Sequence, residues 1–331
     1  MPGDGIGPEQ TQATLLILDA IKEKLGINFE ILEIEGGDGT LRKRGVALPD
    51  ETIETIKASD ACLKGPVGET AADVIVKLRL MFDLYVNLRP IKAYPNVPSI
   101  RQDIDMVIVR ENTEDLYKGL EFKIDENTAI AQRVITREGS QRIAEYAFQL
   151  AEKRRKKVTS VHKSNVMKIT CGLFAQTCRD VSKKHPTIAF EELYVDAAAM
   201  DLIRRPHEFD VIVTTNMFGD ILSDEAAQLV GGLGMAPGGN IGRDFALFEP
   251  IHGCAPTIAG KQLANPCSMI LAASLMFNWL GERNNDRRCV LAAEKIERAV
   301  IKTLEERLLT ADLGGKVKTQ QMGKFIAEKI M

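Results

Sequence analysis

The chain has 331 residues, 45% of them hydrophobic and 27% charged, with a formal net charge of -3. Such values belong to an ordinary globular protein of about two domains; they exclude a strongly basic nucleic-acid binder and offer nothing to an anionic membrane surface. Six cysteines without a C-x-x-C pair, four histidines without H-E-x-x-H and no apolar run near the ~18 residues of a membrane span point to a reduced, cytoplasmic protein without zinc-hydrolase chemistry.

In chain order, Gly3-Asp4-Gly5-Ile6-Gly7 leads into a predicted helix, Pro8 to Leu25, with Leu15, Leu18, Ile21 and Leu25 on one stripe and Gly26 as its stop. The glycine loop could turn backbone N–H groups toward an anion or be a tight turn; it lacks the G-x-G-x-x-G register of a dinucleotide fingerprint. Short apolar runs at 105–109, 157–161 and 209–213 read as buried strands, and helical patterns at 139–156, 172–184 and 220–230 fall between or after them. That alternation predicts an α/β architecture with a largely parallel sheet. The basic run Lys153 to Lys157 reads as a solvated helix end. The stretch 231–242, with six glycines in twelve residues, reads as a long functional loop.

Polar residues gather just past the strands: Arg110, Lys163, Asp196 and Asn216. Ligands bind at the carboxyl ends of strands in open α/β sheets, so these positions predict a site. Within "FGDILSDEA", Asp220 and Asp224 stand four residues apart at what reads as a helix start. Like charges at that spacing repel by roughly 0.2–0.5 kcal/mol. Two readings stand at this point: acids welcomed by a helix N-terminus, or a pair of oxygen ligands for a hard cation.

Taken together, "PGDGIGPE" (2–9), "NLRP" (87–90), "VRENTEDLY" (109–117), "VHKSNVMK" (161–168), "YVDAAAMD" (194–201), "TTNMFGDILSDEA" (214–226), "GGLGMAPGGNIG" (231–242), "FEPIHGCAPTIAGKQLANP" (248–266) and "DLGG" (312–315) resemble the β-decarboxylating dehydrogenases, the family of 3-isopropylmalate, isocitrate and homoisocitrate dehydrogenases. The likeness covers essentially the whole chain. It implies a two-domain α/β fold distinct from the Rossmann fold, with the active-site cleft between the domains. Residues 1–90 with 230–331 would form the first domain and 91–229 the second. It also implies a homodimer, or a dimer of dimers, whose sites borrow residues across the subunit boundary.

The family's substrates are 3-substituted malates, and three guanidinium forks suit two carboxylates. The resemblance assigns that grip to Arg79, Arg89 and Arg110. It puts Mg²⁺ or Mn²⁺ on Asp220 and Asp224 with Asp196 from the neighbouring subunit, Asp196 also facing the substrate. Lys163, again from the neighbour, would take the hydroxyl proton, which requires a lowered pKa. Tyr117 would protonate the carbon left by decarboxylation. The dinucleotide would lie on Ile6, His252, Gly253, Ala255, Pro256, Thr257 and Ile258, with Asn265 at the adenine. Thr257 replaces the aspartate of NAD-dependent members, and nothing basic awaits a 2′-phosphate, so NAD is expected.

Substrate choice is expected from Gly68 to Arg79. Isocitrate enzymes carry Ser and Asn six and four residues before the first arginine; here Asp73 and Ile75 stand there. An aspartate would repel a third carboxylate and isoleucine would give it no hydrogen bond. The expectation is 3-isopropylmalate, with homoisocitrate or isocitrate as the alternative through Lys77. A non-catalytic regulatory subunit is the remaining alternative, opposed by the complete set of arginines and aspartates. The family has a strand before its glycine loop, whereas Met1 directly precedes Pro2, so that strand is expected to be shortened, absent or cut off.

Overall fold

The computed structural model describes residues 1–330. Its elements are, in order, α1 (Gly7–Leu25), α2 (Asp38–Arg44), α3 (Asp50–Lys57), β1 (Cys62–Leu63), α4 (Asp73–Met81), β2 (Val86–Lys92), β3 (Asp105–Glu111), β4 (Glu121–Lys123), β5 (Ala129–Ala131), α5 (Arg137–Glu152), β6 (Lys157–His162), α6 (Thr170–Ser182), β7 (Ala189–Tyr194), α7 (Val195–Arg204), β8 (Val211–Thr214), α8 (Asn216–Gln228), β9 (Pro237–Ile241), β10 (Ala246–Pro250), α9 (Cys267–Asn284), α10 (Arg287–Glu305) and α11 (Thr319–Glu328). No helix among the described residues is long and apolar enough to cross a membrane.

One large sheet runs β1-β10-β9-β2-β3-β8-β6-β7. Its outer pairings are parallel, but β10–β9, β9–β2 and β2–β3 are antiparallel. The largely parallel sheet read from the alternation of elements is therefore corrected to a mixed one. Apolar helix stripes and strand runs report burial, not the direction of a neighbour. The glycine-rich stretch is also corrected: its second half is β9, buried in the middle of the sheet. Glycine leaves room there, since a Cβ on Gly239 would meet the Phe248 ring at 3.1 Å.

Helices cover both flanks. Ile17, Ile21, Ile270, Ile296, Val300, Met322 and Ile326 join α1, α9, α10 and α11 in one apolar core. Ile91, Ile108, Ile212, Leu202, Leu222 and Ala226 pack α7 and α8 against the sheet in another. A third core runs from Val109, Val158 and Val213 to Phe248 and Ala272, so the two flanks share packed side chains.

Two local readings gain detail. The basic run is a solvated helix end, with Lys153, Arg155 and Lys156 exposed, while Arg154 bonds Asp210 and Asp105 at 2.8 Å and ties the end of α5 to the starts of β3 and β8. The glycine loop closes as a tight turn, the Gly7 N–H reaching the Asp4 carbonyl at 2.9 Å, and supplies an anion to a neighbouring N–H cradle. The Asp4 carboxylate accepts from the backbone N–H of Asp38, Gly39 and Gly68 at 2.7, 2.8 and 2.9 Å. Gly5 has φ 58°, and a Cβ there would lie 1.9 Å from the Cys254 carbonyl oxygen. That close approach lets the Ile6 N–H reach the same oxygen at 2.9 Å. Met1 lies along β1, its amine donating to the Leu63 carbonyl at 3.0 Å.

Candidate active site

The strand register assembles the core of the site. Asn87 and Arg89 alternate onto one face of β2, and pairing sets Asn87 opposite Arg110 of β3 and Asn240 of β9. Arg79 arrives on that face from α4. All three arginines are buried, Arg110 at 1% exposure. Burial, with Arg110 close by, lowers the basicity of Arg79 and Arg89: Arg89 falls to about 10, first through burial and then through Arg110 and Arg79.

Carboxylates answer them from two directions. Glu249 of β10 is buried against Lys64 at 2.8 Å, with Arg79 at 3.6 Å. Burial pushes its pKa up, but Lys64 and Arg79 outweigh this and hold it at about 2. On α8, Asp220 accepts from Arg110 and from the Tyr117 hydroxyl, and Arg110 also lies over the Tyr117 ring at 5.1 Å. Gly219 makes that approach possible, since a Cβ would meet the Arg110 side chain at 2.5 Å. Burial raises the Asp220 pKa, yet Arg110, Tyr117, Arg89 and Arg79 bring it below the usual carboxylate range. Asp224, one turn on, behaves oppositely: burial and Asp220 raise its pKa against the pull of Arg89, which stays 4.0 Å away.

Two carboxylates a turn apart, one of them without a close partner, fit a hard dication bound through oxygen. Both lie inside α8, which starts at Asn216, so the dipole of a helix start does not explain them. Among the described residues no third acidic, histidine or cysteine side chain completes a ligand group. Asp196 is not with them. It opens α7 and pairs with Lys163, which also lies over Tyr194 at 5.8 Å. Within one chain, therefore, Arg79, Arg89, Arg110, Tyr117, Asp220 and Asp224 come together, while Lys163 and Asp196 form a separate pair.

Beside the arginines opens a cleft of about 420 Å³, lined by Glu69, Ala72, Ile75, Arg79, Arg89, Glu249, His252, Gly253, Cys254, Ala255 and Pro256 among others. Burial lowers the His252 pKa against the pull of the Gly253 carbonyl and Asp312. Gln10 Nε2 meets its Nε2 at 3.0 Å, which leaves the proton on Nδ1, 2.9 Å from the Gly253 carbonyl. Thr257 and Ile258 follow Pro256 in a short 3-10 turn just past this lining. Ile6 and Asn265 are buried rather than lining it. The Asn265 amide donates to Asp312 at 3.0 Å and accepts from the Cys267 N–H at 3.0 Å.

The reading of α4 is half corrected. Ala72, Ile75 and Arg79 share the cleft face, as expected for Ile75. Asp73 and Lys77 line a separate depression shared with Leu41, Leu48 and Ile53. Asp73 therefore does not line this cleft, whose acids are Glu69 and Glu249. A helix turns about 100° per residue, so positions six and four before Arg79 cannot both share its face.

A family model described as isocitrate/isopropylmalate dehydrogenase matches residues 1–326. The chain belongs to that family. It is 52% identical over 328 residues to a 3-isopropylmalate dehydrogenase of Archaeoglobus fulgidus, covering 99% of this chain and 97% of the relative. It is 46% identical over 346 residues to a homoisocitrate dehydrogenase of Methanocaldococcus jannaschii, covering 99% and 96%. A crystal structure of an isocitrate dehydrogenase from Methylococcus capsulatus superposes with a TM-score of 0.92 at 42% identity, covering 99% and 97%. The two-domain α/β fold with its cleft is that of the family, whose members are decarboxylating dehydrogenases that typically use NAD and a divalent metal.

Four residues packed around the arginines stayed unread in the sequence: Lys64, Glu249, Asn87 and Asn240. Asn87 carries a usable signal, because a residue two before a strand arginine shares its face. Lys64 and Glu249 carry none, because their strands meet only in three dimensions.

Proposed function

We propose that this family member catalyses the NAD-dependent oxidative β-decarboxylation of 3-isopropylmalate to 4-methyl-2-oxopentanoate. The observation that carries the reading is the cleft face of α4, where apolar Ala72 and Ile75 lead to Arg79. Burying the substituent's three carbons against such a wall contributes roughly 0.8 kcal/mol each. The carboxylate of Glu69 on the same lining opposes a third substrate carboxylate. The relative named 3-isopropylmalate dehydrogenase supports the choice, and the one named homoisocitrate dehydrogenase sets the competing arm of the test.

Arg79, Arg89 and Arg110 bind and orient the two malate carboxylates. Asp220 and Asp224 hold Mg²⁺ or Mn²⁺ with Asp196 of the partner subunit; bound cation and NAD supply Lewis acidity and a hydride acceptor. Lys163 of the partner subunit takes the 2-hydroxyl proton. Loss of the carboxylate β to the new carbonyl releases CO₂, and the Tyr117 hydroxyl gives a proton to the carbon left behind. Tyr117 is suited to keeping its proton until then, since burial and Asp220 raise its pKa.

The shared site is proposed from the separation of Lys163–Asp196 from the arginines, and from exposed apolar side chains around both groups. Val166, Ile169 and Met200 flank the pair, Ile221 lies between Asp220 and Asp224, and Phe122 and Ile130 sit on the β4–β5 hairpin. NAD over NADP is proposed because Thr257 brings no positive charge. Six free cysteines are in keeping with a reducing, cytoplasmic setting. The domain division 1–90 with 230–331 and 91–229 is carried as part of the same proposal. The deciding experiment measures kcat/KM for 3-isopropylmalate, homoisocitrate and isocitrate with NAD under one condition. A preference of at least about tenfold for isopropylmalate is expected; the reverse preference overturns the substrate.

A further inference from the structure

Asn87, Asn112 and Asn240 form a buried trio at the point where β2, β3 and β9 meet, each at 3% exposure or less. Asn240 Oδ1 accepts from Arg79 Nε at 2.9 Å, and Asn87 Oδ1 accepts from Arg89 Nε at 2.5 Å. The amide hydrogens are all used inside the protein. Asn87 Nδ2 donates to Asn112 Oδ1 at 3.0 Å and to Asn240 Oδ1 at 3.2 Å. Asn112 Nδ2 donates to the Leu84 carbonyl at 2.8 Å and to Asn240 Oδ1 at 3.1 Å. Asn240 Nδ2 donates to Glu249 at 2.8 Å. Turning over either anchoring amide would set an NH₂ group against a guanidinium N–H, so the network has one orientation.

We propose that this trio is the positioning device for the substrate arginines: it clamps the Nε of Arg79 and Arg89 with neutral oxygens, leaving their terminal nitrogens and full charge for a dicarboxylate. Arg89 Nη1 is buried without a hydrogen-bond partner, as a donor awaiting a ligand oxygen would be. Neutrality matters because Arg79, Arg89, Arg110 and Lys64 already face Glu249, Asp220 and Asp224, four cations against three anions. One aspartate in the trio would cancel the excess and compete with the substrate for the same forks. The inference rests on the proposed reading that these arginines bind the substrate's carboxylates.

The test compares Asn87→Asp, Asn240→Asp and Asn112→Ala with the wild type, each variant checked by thermal melting. The aspartate variants are expected to raise KM for 3-isopropylmalate at least about tenfold, with KM for NAD unchanged within about twofold. Asn112→Ala removes donors to Asn240 without touching either arginine, and about a threefold rise is expected. It keeps the test available if an aspartate variant does not fold. Folded variants whose isopropylmalate KM stays within twofold of wild type, or whose two KM values rise together, overturn the trio's role. A wild type inactive on all three 3-substituted malates overturns the functional reading instead. The trio is then judged on melting with D-malate and Mg²⁺, where a wild-type shift that survives in the variants overturns it.

Discussion

Glu249 is the acid most strongly committed to the charged state at the site, and its pH linkage has a definite sign. Its pKa is about 2 in the folded protein against 4.5 ordinarily. A depressed carboxylate contributes stability that is fully present above the unfolded pKa and lost as pH falls toward the folded one. The shift corresponds to about 3 kcal/mol, lost between pH 5 and pH 2. Glu249→Gln should lower the urea midpoint at pH 7, and its gap from wild type should shrink steadily below pH 5. A gap independent of pH would refute the assignment. Asp224 is the acid least committed, and Asp224→Asn should abolish turnover at ordinary Mg²⁺ while leaving the melting temperature nearly unchanged. Activity retained in metal-free buffer would remove Asp220 and Asp224 from the metal site. At this scale the cluster of Arg79, Arg89, Arg110, Asp220 and Asp224 was legible, because arginine and aspartate announce their chemistry and the family motifs fix their order. Lys64 and Glu249 were not, nor were the amides that hold the arginines. An asparagine reads as a turn residue until the register of β9 and β2 places Asn240 beside Asn87.

Among the elements, α4 shows what a single turn of helix decides. Its cleft face carries Ala72, Ile75 and Arg79, and its other side carries Asp73 and Lys77. Ile75→Ser should lower kcat/KM for 3-isopropylmalate about tenfold through lost apolar contact. Asp73→Ala should change it less than about twofold. Equal effects would mean that the helix presents another face when substrate is bound. Helices with clear apolar stripes could be read nearly to their ends: α1 begins at Gly7 where Pro8 was expected, and α6 covers 170–182 where 172–184 was expected. Strand β9 could not, because Pro-Gly-Gly-Asn-Ile looks like a loop until neighbours on both sides supply its partners. The central antiparallel pairings were hidden for the same reason.

On the scale of the whole molecule, Lys163 and Asp196 neutralise one another at a distance from the acids and Tyr117 of their own chain. If each serves a neighbour, Lys163→Ala and Arg110→Ala, inactive alone, should regain activity when co-refolded, with one intact site per heterodimer. Isolated heterodimers without activity would show that the sites are not shared. The proposal of sharing comes only through resemblance, because no pattern along one chain records which protomer a side chain serves.

Asp4 gives the first loop a reach beyond its own turn. Its carboxylate fastens the starts of α2 and of the segment leading into α4, while Ile6 next door is fastened to Cys254 in the stretch proposed for the dinucleotide. The wall proposed for the substrate and the ledge proposed for the cofactor thus hang from a common bracket only a few residues long. A disturbance there would not favour one ligand over the other. Both would drift together, and selection for either would hold the bracket in place.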